Sequence, residues 1–149
     1  MSLNTSPAMK THDLAAYVMI FMGLNIQSGF DEDDVCEIEP ESETWGHKVG
    51  ADGEVTRFRN NNRVNKITLH LMKSSIANTL LSTLAIKDEN TIGGIGVGPA
   101  LVQDLQGTSL FEASNCFISK RPTRSIGREV KPVQWELTAV LDVAFDGNN

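Results

Sequence analysis

Strict alternation of apolar and polar side chains dominates two stretches of this chain. Between positions 133 and 143, Val133, Trp135, Leu137, Ala139, Leu141 and Val143 fall on one side, and Gln134, Glu136, Thr138, Val140 and Asp142 on the other. Between positions 66 and 72, Ile67, Leu69 and Leu71 alternate with Lys66, Thr68, His70 and Met72. Successive side chains of an extended backbone point to opposite faces, so both stretches predict strands with one buried and one polar face.

Other segments fill in around them. Residues 54–59 are rich in β-branched and aromatic types, and Asn60, Asn61 and Asn62 tolerate left-handed backbone. The chain from 54 to 72 is therefore expected to fold as an antiparallel hairpin. Ahead of it, residues 46–53 hold three glycines and no apolar period, which predicts a long mobile excursion from a rigid sheet. Residues 15–26 are apolar on both faces, as in a central strand covered on each side or by a neighbouring subunit.

A helix is expected from Ser75 to Ile86, capped by Ser74 or Ser75, with Ile76, Ala77, Leu80, Leu81 and Leu84 on one face. Asn78, Thr79, Ser82 and Thr83 form its polar face, and Gly93-Gly94 lies beyond its end. Residues 99–105 and 110–119 read as a second hairpin across Gln106-Gly107-Thr108. The fold class is mainly β: a β-sandwich or small barrel plugged by one inserted α-helix, with a long extended loop or hairpin. Its expected organisation is a flexible arm over residues 1–13, one domain over 14–145 and a short tail over 146–149.

Composition adjusts this picture in a few places. A chain of 149 residues is long enough for one domain with a core of its own. The net charge of −6 argues against nucleic-acid binding through a broad basic face. Within it, residues 31–43 carry eight carboxylates: Asp31, Glu32, Asp33, Asp34, Glu37, Glu39, Glu41 and Glu43. They predict a solvated loop leading into an edge strand, or else a surface that repels phosphate. Lys120, Arg121, Arg124 and Arg128 make a basic turn in the opposite half. The apolar run 14–24 is too short for a bilayer, which needs about 20 residues. It lacks the flanks of a secretory leader as well, and a buried strand is the better reading.

Little in the sequence points to chemistry. His12, His47 and His70 have no paired spacing and no cysteine neighbours, so no zinc motif is present. The acidic segment lacks the spacing of a calcium loop. Residues 93–98 lack the lysine-serine pair of a phosphate loop, and Pro99 follows at once, so a flexible loop is expected. No nucleophile elbow or Cys/His signature occurs, and Cys36 and Cys116 read as reduced, partly buried thiols. No catalytic residue, metal site or cofactor is expected.

The order of several short motifs does carry a resemblance. Gly50-Ala51-Asp52-Gly53-Glu54 is followed by Ile67-Thr68-Leu69-His70-Leu71-Met72-Lys73-Ser74-Ser75 and a leucine-rich helix. Then come the turn Asp104-Leu105-Gln106-Gly107, an aromatic-containing run ending near Lys120-Arg121-Pro122, and Val133-Gln134-Trp135-Glu136-Leu137. Over residues 14–143 this arrangement resembles bacteriophage tail tube proteins, the inner tubes of contractile, myovirus-type tails, related in architecture to those of tailocins and type VI secretion. The acidic segment 31–43 and the glycine-rich segment 93–98 depart from the family pattern.

The resemblance implies a structural virion protein that forms hexameric rings, stacked into the conduit for DNA ejection. Its partners would be further copies of itself, the tail sheath, the tape-measure protein, and baseplate or neck proteins. DNA would pass through without specific binding, and nothing would insert into a membrane. Assembly would take place in the host cytoplasm, with the virion tail as final location. In such a tube the polar strand faces meet the channel, which makes Lys66, Thr68, His70, Gln134, Glu136 and Thr138 the lumen candidates. Trp45, His47, Lys48 and Asp52 are the candidates for contact between rings, and Ile76, Leu80, Leu81 and Leu84 for the buried face of the helix. The rival expectations are another ring-forming tail protein, a terminator or completion protein, and a small-ligand-binding β-barrel.

Overall fold

The computed structural model describes residues 11–32 and 34–147. Most of the expected flexible arm, Asp33 of the acidic segment, and the last two residues of the tail lie outside that range. Asp13 caps a short 3-10 turn, Leu14–Ala16, by accepting a hydrogen bond from the Ala15 amide. Then follow β1 (Tyr17–Phe21), β2 (Leu24–Asn25), β3 (Cys36–Pro40), β4 (Trp45–Val49), β5 (Val55–Arg59) and β6 (Val64–Leu71). The helix α1 (Ile76–Asn90), β7 (Gly98–Asp104), β8 (Leu110–Lys120) and β9 (Val133–Phe145) complete the chain.

The protein is mainly β with a single helix among the described residues. Seven strands form one antiparallel sheet in the order β2-β1-β7-β8-β9-β6-β3, while β4 and β5 pair only with each other. The large sheet curls. Tyr17 near one edge and Ile38 on the other line a common cavity of about 200 Å³ with Val102 and Phe111. Inside the curl, Met19, Phe21, Ile67, Leu69, Trp135 and Leu137 make a contiguous core against Leu81 of the helix. Each such side chain contributes about 1.5–3 kcal/mol by leaving water.

The two alternating stretches fold as expected. β6 and β9 pair along their length, from Val64↔Val140 to Leu71↔Val133, with Ile67, Leu69, Trp135, Leu137 and Ala139 buried. Val143, expected to face the core, is 44% exposed. β6 ends opposite Val140, so the last residues of β9 keep only β8 as a neighbour. The hairpin of β7 and β8 forms as anticipated, with Asp104 accepting from the Gln106 amide at its turn.

Four expectations are corrected. Residues 54–59 do not pair with 66–72; β5 pairs with β4, and β6 lies between β9 and β3. The stretch 46–53 is accordingly no loop but a strand and a tight turn. That turn is closed by the Gly50 amide donating to the Glu54 carbonyl (2.7 Å) and by Asp52 accepting from the Glu54 amide, with Gly53 at φ +89°. Apolar period gave no hint of it, because neither strand has a buried face to select one.

The apolar run 15–26 is not one central strand. It breaks at Met22 and Gly23, both at positive φ, into a two-residue turn that sends β2 back along β1 at the sheet edge. Gly98 is required beside it, since a Cβ there would stand 2.9 Å from the Met22 Cα.

The helix is capped by Ser75, which accepts from the Ala77 amide, and runs on to Asn90. Its buried face is Ala77, Leu81 and Ala85 at a spacing of four. Of the expected face, Leu81 is buried and Leu84 half-buried, but Ile76 and Leu80 are exposed. The helix lies over a sheet surface filled by Trp135, whose indole N–H donates to Asn78 (2.9 Å), so small residues and an amide face inward. Finally, the 93–98 loop is held by the Asp88 carboxylate, which accepts from the amides of Ile95 and Gly96 at 2.9 Å each.

The described residues of 31–43 bear out the solvated reading: β3 is an edge strand with Glu37 and Glu39 outward and Cys36 and Ile38 inward. Both cysteines are free. Burial pushes the Cys36 thiol up to about 12, with smaller pushes from Glu37 and Cys116, and burial alone does the same for Cys116.

Candidate functional site

Two features of the surface stand apart, a polar face on the large sheet and an arm that projects from it. The polar face follows from register. Lys66 lies opposite Thr138, Thr68 opposite Glu136, and His70 opposite Gln134, so the six residues expected to share a face do share one, in three cross-strand pairs. The neighbouring strands extend it, because Glu37 and Glu39 of β3 stand beside Thr68 and Lys66, and Lys120 of β8 beside Glu136. The Lys66 ammonium lies 3.2 Å from a Glu136 oxygen, a half-exposed pair that contributes about 0–1 kcal/mol. Thr138 donates to Ser119, and Ser119 to the Glu136 carbonyl.

The six are not equivalent. Lys66 and Gln134 are exposed, and Thr68, Glu136 and Thr138 half-buried. His70 is 8% exposed, and backbone bonds tie it on its open flank to Asp31 and Val35. Its Nε2 has no hydrogen-bond partner, and the Glu37 carboxylate stands off at 3.7 Å. The lining chemistry is therefore mixed rather than uniformly acidic: two ammonium groups and three carboxylates within one surface.

The arm is the hairpin of β4 and β5, in register from Trp45↔Arg59 to Val49↔Val55. Asn60 fastens its root by donating to the Thr44 carbonyl (2.7 Å) and to Ser42, and by accepting from the Asn62 amide. Beyond the root none of the residues of β4 or β5 is buried. Trp45, Val49, Val55 and Phe58 are each 46–61% exposed. Trp45, His47, Val49, Arg57 and Arg59 share one face, where the Arg57 guanidinium stacks on the Trp45 ring at 3.8 Å. On the other face Phe58 lies over Gly46, where an added Cβ would meet the ring at 2.4 Å. The inter-ring candidates Trp45, His47, Lys48 and Asp52 thus all sit on an element that makes few contacts with its own chain.

Residues 120–132, between β8 and β9, form an exposed strap with five cations and one carboxylate. A cavity of about 270 Å³ opens beneath it, lined by Lys73, Pro122, Arg124, Ile126, Lys131 and Val133. The basic character of the strap was legible as Lys and Arg spacing; the cavity depends on the chain folding back onto Lys73. Among the described residues, no three His, Cys, Asp or Glu side chains gather as metal ligands would, and no helix is long and apolar enough to cross a membrane.

Class comes from these features: a mainly-β protein whose large sheet buries one face and leaves the other polar, with an unsupported hairpin arm. Comparison with known proteins adds one informative likeness. No family model matches the chain. A structural protein of Pseudomonas phage KPP10, ORF10, is 26% identical over 122 residues, spanning 82% of this chain and 70% of that protein. Among solved structures, the tube-terminating cap of the anti-feeding prophage superposes with a TM-score of 0.49 at 11% identity, over 93% of this chain and 95% of the cap.

Proposed function

We propose that this chain is a structural subunit of a phage virion, and within it a tail tube protein whose hexameric rings stack into the conduit for DNA ejection. The observation that carries the proposal is the similarity to a phage structural protein over most of both chains. The geometry supports the finer reading in two ways. A sheet face on which Lys66, Thr68, Gln134, Glu136 and Thr138 lie together is suited to line a channel, and an arm with four exposed large apolar side chains is suited to bury them against another copy.

In this reading Lys66, Thr68, Gln134, Glu136 and Thr138 face the channel, with His70 buried at one end of the row. Trp45, His47, Lys48 and Asp52 reach the neighbouring ring. Lys66 is neutralised by Glu136, which leaves Lys120 against Glu37 and Glu39, so the lining offers phosphates no net attraction. At physiological salt such charges act over about 8 Å, enough to keep DNA moving without holding it. The sheath outside and the tape-measure protein inside are the further partners this role requires.

Negative-stain electron microscopy of the purified protein tests the proposal. Tubes of uniform width with a central channel are expected. Closed rings that never stack would replace the tube with a terminator or completion role. A monomer at all concentrations would leave only a binding protein.

A further inference from the structure

Where β6 leaves the large sheet and β9 enters it, Leu71 stands opposite Val133. Lys73 follows two residues past Leu71, and the strap returns to the same place from the end of β8. The cavity of about 270 Å³ between them is chemically one-sided. Half-buried Pro122 and Val133 line it together with Ile126, a large apolar side chain that is 91% exposed. The charged groups in its lining are Lys73, Arg124 and Lys131, all cationic. None of the three has an ion-pair partner among the described residues.

Nearby carboxylates leave this charge uncompensated. Glu129 in the strap and Asp31, Glu32 and Asp34 near His70 neither line the cavity nor come within 4 Å of its cations. Glu89 is taken by Arg121, and Glu136 by Lys66. A second cavity against the strap, of about 310 Å³, shares Lys131 but has the Glu136 carboxylate in its wall. The first cavity therefore combines apolar surface with positive charge alone.

That combination selects a ligand. A bare inorganic anion would answer the cations and leave Pro122, Ile126 and Val133 wet. A neutral hydrocarbon would cover those three and strand the cations. Only an anion with an apolar body gains from both, since apolar burial contributes about 25 cal/mol per Å² and a guanidinium takes a carboxylate through two parallel N–H bonds. At about 30 Å³ for each water-sized group, the cavity holds roughly nine heavy atoms.

We propose that this cavity binds a small carboxylate with an apolar body of about four to six carbons, whether a free acid or the last residue of a peptide. Arg124, Lys73 and Lys131 hold the carboxylate, and Pro122, Ile126 and Val133 cover the body. The site uses neither the arm nor the six residues of the polar face, so it does not rest on the tube reading.

Equilibrium dialysis of the full chain with radiolabelled hexanoate tests it. The expected Kd is about 0.1–1 mM at low salt, weakening as salt is added. Acetate, which lacks the body, hexanol, which lacks the charge, and inorganic phosphate should each compete about tenfold less well than unlabelled hexanoate. Arg124→Gln with Lys131→Gln should weaken hexanoate by about tenfold, and Ile126→Ser by about threefold. These side chains are exposed, so both variants are expected to keep the parent's melting curve.

Phosphate competing as well as hexanoate would reduce the cavity to a patch of positive charge, and hexanol doing so would reduce it to an apolar cleft; either overturns the inference. Unchanged binding in both variants places the ligand elsewhere and overturns it too. The two sources of the ligand are separated by N-acetyl-Gly-Gly-Leu with a free or an amidated end. Competition by the free acid form alone assigns a chain end, and competition by neither form assigns a free acid. Competition by the amide shows that the carboxylate is not read and overturns the proposal. Tubes that bind no hexanoate would overturn it and leave the tube reading intact, whereas a monomer that binds hexanoate would keep it and remove the tube.

Discussion

The β6–β9 pair and the β4–β5 arm are both antiparallel two-strand units with clean register, yet they have opposite fates. Ile67, Leu69, Trp135 and Leu137 bury one face of the first pair, and the polar face is held in place by what lies behind it. The arm has apolar side chains too, but no face of it meets the core. An isolated hairpin is marginal in water, and this one persists through its turn hydrogen bonds, the Trp45–Arg57 stack and the packing of Phe58 on Gly46. The difference teaches where stability is invested and where apolar surface is left in water.

Breaking the buried side should have the largest effect. Leu81→Asp places a charge against Trp135 and the sheet, and should cost several kcal/mol. Expression should shift to the insoluble fraction; a soluble variant with a wild-type melting curve would make the helix peripheral. A milder probe of the same side is Trp135→Phe, which keeps an aromatic ring but removes the N–H to Asn78 and part of the buried indole. It should lower stability by about 1–3 kcal/mol by urea denaturation, and Asn78→Ala in the same background should add only the cost of the bonds Asn78 donates to the Met72 and Lys73 carbonyls, about 1 kcal/mol.

The core also silences the thiols. Cys36 and Cys116 are pushed from 9.0 up to about 12, so their thiolates are scarce at pH 8 in the folded state. Because the shift is upward, labelling by a thiol reagent should stay slow until the pH nears that value, and become fast on adding denaturant. Rapid labelling of the native protein at pH 8 would mean that this part of the core opens readily.

The smallest effect on the isolated subunit should come from the arm. Trp45→Ala with Phe58→Ala should change melting by no more than about 0.5 kcal/mol, since both side chains are already half in water. The same double variant should lose long assemblies in the microscope. Normal assembly would show that the arm has no partner, and the contrast between the two hairpins would lose its functional meaning.

Sequence pattern determined the parts of this protein in which one face is dry. The alternation at 66–72 and 133–143 predicted β6 and β9 as strands, which side of each is buried, and the residues on their polar sides, because a buried strand face can be read two residues at a time. The second hairpin, the helix and the solvated acidic edge were legible for similar local reasons. Tertiary structure alone decided which strands pair. β5 prefers β4 to β6 because Asp52 and Gly53 close a tighter turn than the asparagines do, and β6 is taken by β9 and β3.

The helix face escaped for a related reason. Leucine spacing predicted Ile76 and Leu80 inside, but the surface beneath the helix is filled by Trp135, which leaves room for Ala77, Leu81 and Ala85. His70, polar in pattern, is buried where Asp31 and Val35, distant in sequence, bond to its backbone. Local periodicity records which side of an element meets the core. What covers that side, and which neighbour an edge accepts, depends on residues far away in the chain.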